Sequence, residues 1–132
     1  MLRMPLPNVR LMQQFARERD VETCAAALVH STVAGQRYVV HDLSEVPPGA
    51  YASRTPVGAT LRPEFCIELA NRARAIGAGV LLAHTHPGEV TLEGFSSVDD
   101  AGEQALAAYF QRRLQGARHF SSVFTAKGAY AR

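Results

Sequence analysis

The spacing of apolar positions changes several times along the chain, and each change marks an element. Leu11, Met12, Phe15 and Ala16 recur at helical spacing within Asn8 to Arg19, with Asn8 as a candidate cap. Val21 to Val29 is a continuous run of small apolar residues after a polar start, the pattern of a buried strand. Arg37 to Leu43 reads as a second strand, with Ala34-Gly35-Gln36 supplying the turn before it. Residues 44–62 carry Pro47-Pro48-Gly49 and Thr55-Pro56-Val57-Gly58 and read as a loop or broken strand near the surface. Pro63 opens a helix to about Ile76, with Phe65, Cys66, Leu69, Ala70, Ala73 and Ile76 as its apolar stripe and Gly77 and Gly79 as its stop. Val80 to Ala83 is a short apolar strand running into His84. Ser96 starts a long helix to about Leu114, and Gly116 stops it. Ser121–Thr125 and Ala129–Arg132 flank Ala126-Lys127-Gly128 like a hairpin. The order α-β-β-α-β-α-β-β predicts an α/β or α+β sandwich, without internal repeats or linkers.

Length supports one domain over residues 1–132, enough for a single core. Hydrophobic residues at 47% and charged residues at 20% exclude a disordered chain. A net charge of +2, scattered along the sequence, argues against nucleic acid as a partner. No apolar run approaches the ~20 residues of a membrane helix, and the start MLRMPLPNVR lacks a signal-peptide core, so the expected location is cytoplasmic and away from membranes. Cys24 and Cys66 lie in apolar segments without paired metal-binding spacing and read as buried thiols.

The chemistry is concentrated in His84-Thr85-His86-Pro87 and Ser96-Ser97-Val98-Asp99. Histidines at i and i+2 on an extended segment share a face, about 7 Å apart at the backbone, so their imidazoles can converge on one ion. Ser96 and Asp99 also have capping-box spacing, which puts Asp99 on the first turn of a helix whether or not it binds metal. There the helix dipole favours an ionised carboxylate, suited to serve as a third ligand. Two histidines and one carboxylate leave a fourth zinc position for water, the arrangement of a catalytic site. Asp100 competes with Asp99, about a quarter turn around the helix. His30, His41 and His119 read as structural or exposed.

This spaced block, HTHP followed by SSVD, resembles the signature of the JAB/MPN metalloprotease family, also called JAMM. The resemblance extends over most of the chain, because the acidic strand, middle helix, HTHP strand, SxxD helix and closing hairpin occur in the family's order. It implies a JAB1/MPN-like fold, a mixed β-sheet flanked by helices with cytidine-deaminase-like layering. It implies one catalytic Zn2+ held by His84, His86 and Asp99, with Glu22 as general base and Ser96 stabilising an oxyanion; Glu89 and Glu93 are rivals to Glu22. Twelve residues separate His86 from Asp99, two more than the common pattern, and the chain lacks the insertion of linkage-specific relatives. The implied activity is a deubiquitinase-like isopeptidase of minimal bacterial type that releases a ubiquitin-like protein after its C-terminal Gly, alongside E1- and E2-like enzymes. The alternatives are a processing peptidase that trims a sulfur-carrier precursor, and an inactive MPN scaffold. The substrate tail is expected against the irregular segment Ala50 to Thr60, where Tyr51, Ser53, Thr55 and Val57 alternate; glycines suit close walls.

Overall fold

The computed structural model describes residues 1–32, 34–88 and 94–132. Among them, six strands form one mixed sheet in the order β1 (Leu2–Arg3), β3 (Tyr38–Glu45), β2 (Cys24–Ser31), β6 (Gly79–Thr85), β7 (His119–Phe124), β8 (Ala129–Ala131). β2 pairs antiparallel with both β3 and β6; β6 and β7 are parallel and β7–β8 is the closing hairpin. The helix α3 (Ser97–Arg113) connects the parallel pair. β4 (Tyr51–Thr55) and β5 (Gly58–Leu61) form a separate hairpin, with a single 3₁₀ turn before it. The segment 44–62, expected as a loop or broken strand, is mostly a hairpin, because the Pro56-Val57 turn lets Tyr51–Thr55 pair with the strand that follows.

The sheet is covered on both faces, which explains why β2 and β6 read as continuous apolar runs rather than alternating ones. Odd positions of β2, Ala25 and Ala27, face α1 (Leu6–Glu18) or the cluster beside it, with Met12, Phe15, Leu81, Ala83 and Phe124. Even positions, Cys24, Ala26 and Leu28, face α2 (Pro63–Ala75) and α3, with Leu69, Val80, Leu82 and Phe110. Each large side chain buried in these layers contributes about 1.5–3 kcal/mol. The mixed sheet with three helices is an α+β sandwich, as its sequence order predicts.

Local details differ from expectation for physical reasons. α1 begins at Leu6, and Asn8 is inside it, donating its backbone N–H to Pro5 O at 3.0 Å rather than capping. Pro7 fits the first turn, where backbone donors have no helical acceptor. Ile76 is the C-terminal flanking residue of α2 and is exposed. The two-residue β1 was not visible in the pattern. Gly79 is fixed by packing: a Cβ there would run into the carbonyl oxygen of Arg118, the residue just before β7. Among the described residues no helix is long and apolar enough to cross a membrane.

Candidate metal centre

The site is built at the end of the two central strands. Register pairs Cys24 with His84, and the ladder continues past the strand ends: Thr85 N–H donates to Thr23 O at 3.0 Å, and Thr23 N–H donates to Thr85 Oγ1 at 2.9 Å. Glu22, two residues before Cys24, therefore comes beside the histidine pair. On the other side, His86 N–H donates to Phe124 O at 2.8 Å, so His86 is held by β7 before Pro87 ends the segment. Glu22 is fixed at the backbone by two partners from the hairpin: its N–H donates to Thr55 O at 2.9 Å and its carbonyl accepts from Arg54 Nε at 2.6 Å.

The side chains converge. His84 Nε2 and His86 Nε2 are 3.2 Å apart. Asp99 Oδ1 is 3.0 Å from His84 Nε2, and Asp99 Oδ2 is 3.3 Å from His86 Nε2. Metal–ligand bonds of 2.0–2.2 Å in a tetrahedron place neighbouring ligand atoms about 3.3–3.6 Å apart, so this triangle is close to the size that an ion would impose. Glu22 Oε1 is 4.0 Å from His86 Nε2. Glu22, His84 and His86 form a group, with all ligand atoms within 4.8 Å of one another, that could hold a metal ion. Two carboxylates thus approach the same imidazoles, and Asp99 is the nearer. All four side chains are mostly buried, and two carboxylates in so dry a place favour a cation between them.

α3 presents Asp99 through its cap. Ser96 Oγ accepts the Asp99 N–H at 3.1 Å, while Ser96 N–H and Oγ–H both donate to Asp99 Oδ2 at 2.7 Å. The capping box and the site are one device: the bonds that start the helix also aim the carboxylate. Burial acts to raise the Asp99 pKa, but the His84 contact and the Ser96 bonds outweigh it and hold the carboxyl well below the usual range. Oδ1 remains directed at His84. Because Ser96 donates its hydroxyl proton to Asp99 here, the expected oxyanion role requires a change of partner.

The chain matches no protein-family model and none of the curated proteins.

Asp100 turns away and pairs with Arg132 at 2.6 Å, leaving Asp99 alone of the two at the histidines. Glu89 and Glu93 lie outside the described residues. Cys24 and Cys66 are free and buried, and burial pushes the Cys24 thiol up to about 12, so Cys24 is no thiolate nucleophile despite lying close to Glu22. His30 and His41 meet edge to face, ring centroids 4.9 Å apart, and His119 stacks on Phe110, all three outside the site.

Within the segment expected to bind substrate, Ala50 to Thr60, the four alternating residues take different places. Tyr51 is buried and its hydroxyl accepts Cys24 N–H at 2.7 Å; Thr55 organises the turn by accepting Val57 N–H; Ser53 and Val57 are exposed. None of the four lines the cavity at His84, which this segment borders through Gly58, Ala59 and Thr60 of β5. Alternation along β4 predicted a face, but the fold turns β5 rather than β4 toward α3. Arg54 was missed by sequence reasoning. It bonds Glu22 O and, through Nη2 at 2.6 Å, Thr23 Oγ1, with its guanidinium 4.7 Å from the Tyr51 ring centre. An arginine in a hairpin carries no sequence signal of this role.

Proposed function

We propose that this chain is a zinc-dependent peptidase or isopeptidase of the JAB/MPN type that cleaves an amide bond after the tail of a ubiquitin-like protein. The observation that supports this reading most is the triangle of His84 Nε2, His86 Nε2 and Asp99 Oδ1, with Glu22 one contact further out. Two imidazoles and a carboxylate suit zinc and leave a coordination position for catalysis. Zinc bound there would supply a water of lowered pKa and polarise the scissile carbonyl.

The chain's own groups supply the rest. The Glu22 carboxylate accepts the proton of the attacking water and returns it to the leaving nitrogen as the C–N bond breaks, so water is added across the amide without a covalent enzyme intermediate. Arg54 and Thr55 hold Glu22 by its backbone, Arg54 also bonds the Thr23 hydroxyl, and Ser96 orients Asp99. The JAB1/MPN-like form of the sandwich, the ubiquitin-like substrate and any E1- or E2-like companions rest on the sequence resemblance, to which the sheet order and the convergence of the motif residues are congenial.

The test is a panel of ubiquitin-like domains fused through their tails to a reporter, with zinc-loaded protein. Cleavage at a single junction, abolished by a strong chelator, restored by zinc and indifferent to cysteine alkylation, is expected. Cleavage that survives the chelator, or none with any fusion, would remove this reading.

A further inference from the structure

A groove opens directly from the metal centre. Ala59 and Leu61 of β5 form one wall; Val98, Gly102 and Leu106 of α3 form the other. Glu22, His84 and Asp99 belong to the same lining, and the Phe95 ring meets His84 edge-on with centroids 6.4 Å apart. Ala59, Leu61 and Leu106 are the partly buried fringe of the core beneath, so the groove is a place where that core reaches the surface. The cavity measures about 360 Å³. An apolar space of ~150 Å³ already accepts a benzene-sized group. Among the described residues its lining contains no Lys or Arg, and the third acid there, Glu103, pairs with Arg132. A lone glycine tail would fill little of this space.

We propose, resting on the hydrolase reading above, that the groove receives one bulky apolar side chain (leucine, methionine or phenylalanine) from the substrate residue on the leaving-amine side of the scissile bond, opposite the tail that ends in glycine. Continuity with the histidines sets the position: a strand advances about 3.3 Å per residue, so a group lodged beside His84 lies within a residue of the ion. Walls of aliphatic and aromatic carbon set the chemistry. Gly102 keeps the groove wide. Glycine weakens a helix interior, and a Cβ at Gly102 would meet nothing within 4 Å, so close packing is not what calls for it. A larger side chain there would enter the groove without disturbing the backbone.

The experiment compares two chelating probes on zinc-loaded protein, acetohydroxamate and 3-phenylpropanohydroxamate, in the parent and in Gly102→Leu. The parent should bind the phenyl probe roughly 10–100-fold more tightly, the range for filling an apolar subsite. Gly102→Leu should still hold zinc but bring the ratio close to one. A ratio near one in the parent, an unchanged ratio in Gly102→Leu, or equal preference for an aminoalkyl hydroxamate would overturn the proposal. Zinc content, measured first, reports separately on the hydrolase reading. If no zinc is taken up, 3-phenylpropanamide is added to the metal-free protein: shifts of the Leu61, Val98 and Leu106 methyl resonances in the parent but not in Gly102→Leu support the groove, and no shifts overturn it.

Discussion

Ser96 shows how one side chain serves both folding and chemistry. Its hydroxyl accepts Asp99 N–H, which starts α3, and donates to Asp99 Oδ2, which leaves Oδ1 toward His84. Ser96→Ala removes both. It should lower stability by about 1 kcal/mol as a lost cap and weaken zinc binding roughly 10–100-fold as a lost orienting partner. Denaturant titration and competitive zinc titration measure the two. Weakened turnover with zinc affinity intact would return Ser96 to an oxyanion role. The spacing Ser96-x-x-Asp99 made cap and ligand legible together in the sequence. Arg54 was not legible, because its contacts depend on how the β4–β5 hairpin meets the start of β2.

Elements were legible where the pattern was strong and blurred where pairing decides. The histidine strand and the α3 start were read within a residue or two, since apolar runs and caps are local signals. The hairpin over 51–61 read only as a loop or broken strand because its turn residues outweigh two short strands whose partners are each other. β1 depends on the parallel partner Tyr38–Val39 and has no pattern of its own. Gly79 was read as a helix stop, whereas the close approach of the Arg118 backbone, just before β7, is what demands it. Gly79→Ala drives a methyl group into the Arg118 carbonyl and should cost about 3 kcal/mol, the upper end for overpacking. A denaturation midpoint equal to the parent's would show that β6 and β7 separate easily.

Stability of the fold should fall with mild acid through His119. This ring stacks on Phe110 with its Nε2 buried and without a hydrogen-bond partner. Burial pushes its pKa down to about 4, against a weaker opposing pull from Glu103. The folded state therefore holds His119 neutral where the unfolded chain, near 6.5, protonates it. The unfolded state binds the extra proton between about pH 6.5 and 4, so stability is full above 6.5 and declines as pH falls through that window. His119→Phe keeps an aromatic ring and should flatten the decline, as read by denaturation midpoints at pH 5 and 7. An equal decline in both proteins would assign acid sensitivity to other groups.

The fold brings two strands and one helix start together so that Glu22 and Asp99 approach the same histidines, Asp99 more closely. In the proposed mechanism Asp99 holds the ion and Glu22 moves the proton. Zinc content per folded chain tests this division most directly, in the parent, Asp99→Ala, Glu22→Gln and Asp100→Ala. The account predicts about one zinc in the parent, in Glu22→Gln and in Asp100→Ala, and loss of zinc in Asp99→Ala. Zinc retained by Asp99→Ala but lost from Glu22→Gln would contradict it, as would a parent that takes up none.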